Sequence, residues 1–269
     1  MTTIWEETKK QGSKMKGRPL SEKIAYFWEY YKIHTLVGAT VLILVISLVH
    51  AWATSKDYIL SIVMVNSIAA QIDDIDTNWI SDLNERIEYD PKKYEIYLDT
   101  TMLLGQGSES ANQEYANLQK LAAMISAQSI DIFIADTESF ERYAQNEYMY
   151  DLRNIYTEEE LQKYSDILYY TDAATFSDYS SDVDPNAYPD QSVYIVDHHD
   201  PDSMKDPVPI GFFADDTTVV GSSGAYAYLN PDDMFQGHPK EGVIGIMINT
   251  PRLDNAKIGI DYLTGKDKP

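Results

Sequence analysis

Between residues 33 and 55 the chain carries no Asp, Glu, Lys or Arg. Within that window Leu36-Val-Gly-Ala-Thr-Val-Leu-Ile-Leu-Val-Ile-Ser-Leu-Val-His-Ala-Trp-Ala53 is apolar on every side. A helix needs about 20 such residues to cross a hydrocarbon core. Tyr26, Phe27, Trp28, Tyr30 and Tyr31 precede the run, and Trp52 and Tyr58 follow it. Aromatic residues at both ends suit the two membrane interfaces. The expectation is a transmembrane helix over 33–55 that contacts membrane lipid. A buried core helix and a cleaved signal peptide are the alternatives. The signal peptide fits less well, because 32 residues precede the apolar core here.

Charge orients the span. Residues 1–32 hold seven Lys/Arg and four Glu, whereas Lys56 is the lone basic residue after the span until Arg86. The positive-inside bias then places the N-terminus in the cytoplasm and residues 56–269 outside the cell. Three segments follow: a cytoplasmic piece over 1–32, the span, and an extracytoplasmic domain over 56–269. Residues 1–19 read as flexible. Ser21 reads as an N-cap, with Ile24, Phe27, Trp28 and Tyr31 on one helical face. That juxtamembrane helix either lies in the headgroup region or forms the first turns of one long spanning helix.

The outer domain is strongly acidic. Residues 57–269 hold 13 Lys/Arg against 39 Asp/Glu, in a chain with a formal charge of −22. Binding a phosphate backbone needs clustered cations, so nucleic acid is excluded as a partner. The absence of Cys removes disulfides, thiolate metal sites and cysteine nucleophiles.

Periodicity divides the outer domain into alternating elements. Residues 58–65 form a short apolar run rich in β-branched residues, a buried strand. Helical spacing follows over 77–87, a strand over 94–98, a helix over 110–128, a strand over 130–135 and a helix over 138–145. Thr157 and Glu160 have capping-box spacing. Residues 171–191 read as a loop. Strands over 192–196 and 208–213 are too close for a helical crossover and pair antiparallel. A strand over 243–248 and a helix over 252–263 close the chain. This order predicts an α/β domain, mainly parallel, with helices on both faces of the sheet.

In open α/β sheets ligands sit beyond the carboxyl ends of the strands. Asn66, Ser67, Asp99, Thr100, Thr101, Asp136, Thr137 and Glu138 occupy those ends and are the candidate ligand-binding residues. Helix capping by Asp and Thr is the plainer use of the same residue types. Asp197-His198-His199-Asp200 follows an apolar strand, and Asp with neutral His suits a divalent metal. Asp197, His198 and His199 are therefore candidate metal ligands, and no other cofactor is expected. Adjacent residues of an extended strand point to opposite faces, so the two imidazoles need not converge. Residues 182–193 begin like a calcium loop but hold Ala187 and Val193 where Gly and Glu are required. Phosphate loops, dinucleotide fingerprints and serine-elbow motifs are absent from the sequence.

Ile130-Asp-Ile-Phe-Ile-Ala135 with Asp136 and Thr137, the phrase Tyr148-Met-Tyr-Asp-Leu152, and the closing strand and helix over 243–263 resemble the extracellular solute-binding proteins of bacterial ABC importers. The resemblance implies a type 2 periplasmic-binding fold, with a second lobe reduced to the region 171–240. It also implies binding of a small solute, or of another envelope protein, without catalysis. Phe27-Trp-Glu-Tyr-Tyr-Lys-Ile-His34 resembles the lead into the span of uncharacterised single-pass membrane proteins of anaerobic Gram-positive bacteria. Two alternatives stand beside a binding module. One is a metal-dependent phosphoesterase built on Asp136, Asp197, His198 and His199, because Asp-His-His resembles the signature of such a family. The other is a structural subunit of an envelope complex.

Overall fold

A computed structural model describes residues 17, 19–73, 75–105, 110–175, 196–229, 234–235 and 238–266. The chain divides into two compact units, Met1–Ser55 and Lys56–Pro269. Among the described residues the first contains one helix, α1 (Leu20–Thr54). At 1.5 Å per residue its 35 residues extend about 52 Å, well beyond the ~30 Å of a hydrocarbon core. The stretch Tyr31–Thr54 is long and apolar enough to cross a membrane, with a mean hydropathy of 2.2. The juxtamembrane residues continue the same helix rather than forming a separate one. Ser21 lies inside its first turn, and Pro19 occupies the N-cap without a side-chain hydrogen bond.

The second unit is built on an open six-stranded sheet in the order β2-β1-β3-β8-β5-β4. The strands are β1 (Asp57–Val65), β2 (Tyr94–Met102), β3 (Ile132–Asp136), β4 (Leu168–Asp172), β5 (Pro207–Phe213) and β8 (Gly242–Ile246). A separate two-stranded hairpin joins β6 (Met234–Phe235) and β7 (His238–Pro239). The helices are α2 (Ile75–Arg86), α3 (Ala111–Ser126), α4 (Thr137–Ala144), α5 (Glu158–Gln162), α6 (Val219–Ser222) and α7 (Leu253–Leu263). The Thr157–Glu160 capping box is present and opens α5.

Strand direction is mixed, which corrects the expectation of a mainly parallel sheet. β1 pairs parallel with β2 and with β3. β8 pairs antiparallel with β3 and β5, and β5 antiparallel with β4. An apolar run identifies a strand, but its direction depends on the end of the sheet at which the preceding connection leaves the chain. β4 lies partly in the region expected to be a loop. Of the expected strand over 192–196, residues 192–195 lie outside the described residues, as does the calcium-like stretch 182–193. β4 and β5 belong to the same sheet as β1–β3, so among the described residues β6–β7 is the one additional sheet.

Helices cover both faces. Leu60, Ile62 and Met64 of β1 pack with Ile132, Ile134, Ile244 and Ile246 beneath Trp79 and Leu83 of α2 and Ala256 and Ile260 of α7. The alternate residues, Val63, Val65, Phe133, Ala135 and Val243, face Leu121 and Ile125 of α3 and Phe140 and Ala144 of α4. A strand buried on both faces favours apolar residues at nearly every position, which is why β1 reads from Tyr58 to Val65 as an apolar run broken only by the buried Ser61.

One buried charge fastens the amino-terminal end of β3. Asp131 is fully buried, and its carboxylate accepts from the Ser61 N–H at 2.7 Å, from Arg252 Nε at 2.8 Å and from the Thr250 hydroxyl.

Candidate functional site

At the opposite end, where β1 and β3 finish, lies a cleft of about 260 Å³. Its lining includes Asn66, Asp136, Glu138, Ser139, Arg142 and Lys240, with Tyr228 at one side. Local chemistry explains why these residues meet. β3 ends at Asp136, which caps α4 by accepting the Ser139 N–H at 3.1 Å. Asp136, Ser139 and Arg142 are spaced by three, so one side of the helix start faces the cleft.

Asn66 organises the other wall. It follows β1 with φ +52°, a left-handed conformation that Asn tolerates better than most residues. Its Nδ2 donates to Asp136 Oδ2 at 2.8 Å and to Ser139 Oγ at 3.1 Å, while its Oδ1 accepts from the Leu104 N–H at 2.7 Å. One amide thus joins the ends of β1 and β3 and the segment after β2. Tyr226 Oη donates to the Val65 carbonyl at 3.0 Å, and Tyr228 Oη donates to the Asn66 carbonyl. Burial raises both phenol pKa values, with Asp136 nearby adding to each. The two rings stay neutral and act as hydrogen-bond donors.

The charges around the cleft are mixed. Lys240 Nζ donates to Glu138 Oε2 at 3.0 Å. Asp136 is almost wholly buried and held by Asn66 and the start of α4. The Arg142 guanidinium is exposed and has no hydrogen bond or ion pair among the described residues.

Of the expected ligand-binding residues, Asn66, Asp136 and Glu138 line this cleft. Ser67 turns away and caps a short turn through the Ala69 N–H at 2.8 Å. β2 runs on to Met102, so Asp99, Thr100 and Thr101 lie within the strand rather than beyond it. Asp99 pairs with Lys120 of α3 at 2.5 Å and also accepts from the Thr101 N–H at 2.9 Å. Burial alone would raise its pKa, but the Lys120 and Thr101 hydrogen bonds outweigh that and hold it below the usual carboxylate range. Thr137 accepts from the Glu241 N–H at 2.9 Å, and its own N–H donates to the Glu241 carbonyl at 2.8 Å, tying α4 to the entry of β8.

The expected metal trio does not converge. His198 is buried and stacks on Tyr169, with ring centres 4.4 Å apart, and its Nδ1 meets the Tyr170 carbonyl at 2.7 Å. His199 faces outward, where it stacks on Phe213 at 3.7 Å and meets Glu241 Oε2 at 2.9 Å. Asp197 Oδ1 is taken up by the His199 N–H at 3.0 Å. Among the described residues there is no group of three His, Asp or Glu side chains placed to hold a metal ion.

No family model matches this chain, and neither do any curated proteins or solved structures. Ser139 and Arg142 were accessible to sequence reasoning through their spacing from Asp136. Tyr228 and Lys240 gave no such signal, since each reaches the cleft from more than a hundred residues away in sequence.

Proposed function

We propose that this chain is a membrane-anchored extracytoplasmic binding module that holds a small polar solute in the cleft between β1, β3 and α4. The observation that carries the proposal is the presence in one cavity of a buried acid, Asp136, and an exposed cation, Arg142, whose guanidinium has no hydrogen bond or ion pair among the described residues. Asp136 accepts from a hydroxyl or ammonium group, and Arg142 receives an acidic group by paired N–H donors. The cavity holds one small molecule of about amino-acid or monosaccharide size, and the Tyr228 edge offers it a flat apolar surface. The resemblance of residues 130–152 to extracellular solute-binding proteins supports this reading. So does the position of the cleft beyond the carboxyl ends of parallel strands. The separate surroundings of His198 and His199 give no support to a metal-dependent hydrolase.

In this proposal α1 is an uncleaved signal anchor, with the basic N-terminal segment in the cytoplasm and the acidic domain outside. Protease added to intact cells should digest residues 56–269 and spare the N-terminus. Protection of the domain would reverse the orientation.

The binding reading is tested on the full chain in detergent by thermal unfolding against amino acids, sugar acids, neutral sugars, inorganic phosphate and divalent ions. A bound solute at 100 times its Kd adds about 2.7 kcal/mol of stability. A solute that carries both an acidic group and a donor should raise the unfolding temperature, and Arg142→Ala should abolish the rise. No shift with any probe, together with a protein that copurifies in equal amount, would favour an envelope-protein partner instead.

A further inference from the structure

The two edges of the six-stranded sheet differ. β4 forms one edge and β2 the other. Along β4 the Tyr170 N–H donates to the His198 carbonyl at 3.0 Å, and the Tyr170 carbonyl meets His198 Nδ1 at 2.7 Å, so the chain at His198 covers that edge. β2 is arranged otherwise. The Asp57 N–H donates to the Lys93 carbonyl at 2.9 Å, and Asp57 and Tyr58 stand opposite Tyr94 and Glu95. Backbone groups alternate in direction along a strand, so Glu95 and Tyr97 turn theirs to β1 while Ile96 and Leu98 turn theirs outward. Among the described residues nothing pairs with the outward N–H and C=O groups of Ile96 and Leu98.

An open edge is a template for another strand, and folded proteins blunt such edges with short strands, Pro, Lys or bulges. β2 is nine residues long, Tyr94–Met102, and contains no Pro, Gly or Lys. Its extra residue against β1 falls after Asp99, which leaves 94–98 regular. Beside this stretch Tyr97 stacks on Tyr58 with ring centres 4.7 Å apart, and both side chains are half-buried. Glu95 is exposed and has no hydrogen bond or ion pair among the described residues.

Charge selects the occupant. The domain that carries this edge holds 13 Lys/Arg against 39 Asp/Glu. Two copies meeting edge to edge would bring two such excesses of negative charge, and two Glu95 side chains, to one seam, which opposes self-pairing. The same field draws in a cationic chain. We propose that the outer edge of β2 is a docking site for an extended, cationic segment of another protein, which adds to the sheet as a further strand. Its backbone pairs with Ile96 and Leu98, a Lys or Arg stands across from Glu95, and a neighbouring side chain on the same face packs on Tyr97. Lys92 and Lys93 lie in the turn before β2 and repel a partner cation there, which sets its place at Glu95. The docking site does not depend on what the cleft holds.

The probe is a capped heptapeptide that alternates Lys with Val and Thr, titrated into the full chain in detergent. Its binding should slow amide hydrogen exchange within 94–98, at Ile96 and Leu98, and leave β4 unchanged. A heptapeptide of the same sequence methylated at every backbone nitrogen keeps the charge and loses the donors, and should bind at least about tenfold more weakly. Leu98→Pro removes an outward N–H without touching the ladder to β1, and Glu95→Lys reverses the edge charge; each should weaken the unmethylated peptide by roughly tenfold. A smaller loss on methylation would reduce the binding to charge attraction and overturn the proposal. So would protection located elsewhere, or no binding at all. Slowed exchange at Ile96 and Leu98 that grows with protein concentration in the absence of peptide would assign the edge to a second copy and overturn the cationic partner. Should Leu98→Pro not fold, the methylated peptide on the unaltered chain decides.

Discussion

Asn66 Nδ2 donates a hydrogen bond to Asp136 Oδ2 at 2.8 Å, across 70 positions of the chain. The same amide receives the Leu104 N–H, so a single side chain joins three strand ends around the cleft. Replacing it leaves buried partners unpaired. Asn66→Gly keeps the left-handed backbone and should cost about 1–3 kcal/mol in urea unfolding. Asn66→Ala should cost roughly 1–2 kcal/mol more, because alanine resists that conformation. Equal losses in the two variants would show that the backbone at residue 66 is not under constraint.

Asp131 and Arg252 make the corresponding fastening at the other end of the sheet, at 2.8 Å. Removing one partner of such a pair leaves an uncompensated charge inside the domain. Asp131→Ala should therefore destabilise by about 3–5 kcal/mol. The cleft lies at the opposite end of β3, so any solute that still binds should shift the unfolding temperature of this variant by as much as it shifts the wild type.

Gly245 shows how closely β8 packs on α4. A Cβ at this position would stand 2.7 Å from two atoms of the Phe140 ring and 3.1 Å from Met149 Sδ. Gly245→Ala should cost about 1–3 kcal/mol through overpacking. Phe140→Leu, destabilising alone, should recover part of that loss when combined with Gly245→Ala. Strict additivity in the double-mutant cycle would contradict direct contact between the two sites.

Asp172 provides a pH test at the acid end. Burial works to raise its pKa, but N–H donors from Lys205 at 3.0 Å, Asp206 at 2.9 Å and Ala174 at 3.1 Å outweigh it and hold the carboxyl below its usual 3.8. Stability from this group is present above pH 3.8 and is lost as pH falls through the lower folded value. Asp172→Asn should flatten that part of the acid unfolding curve and leave the region above pH 6 unchanged.

Much of the parallel half of the sheet was legible because β1 and β3 are buried on both faces and are therefore mostly apolar. β4 escaped notice for the opposite reason. It lies at the sheet edge, and its residues Leu168-Tyr-Tyr-Thr-Asp172 carry no clear alternation. Asp136 was legible as a strand end that also caps a helix. Asp99 carried the same signal, but β2 continues past its alternating pattern to Met102, and Lys120 takes up the carboxylate.

By itself, the sequence determined the properties set by local composition and period: an apolar helix of membrane-spanning length, the acidic balance of the segment beyond it, and alternating strands and helices. These depend on neighbours within a few turns of chain. Only the tertiary structure decided the direction of β8 and β5, the separate partners of His198 and His199, and the arrival of Tyr228 and Lys240 at the cleft. Each of these depends on contacts between residues far apart in sequence, whose energies appear only once the sheet has brought them together.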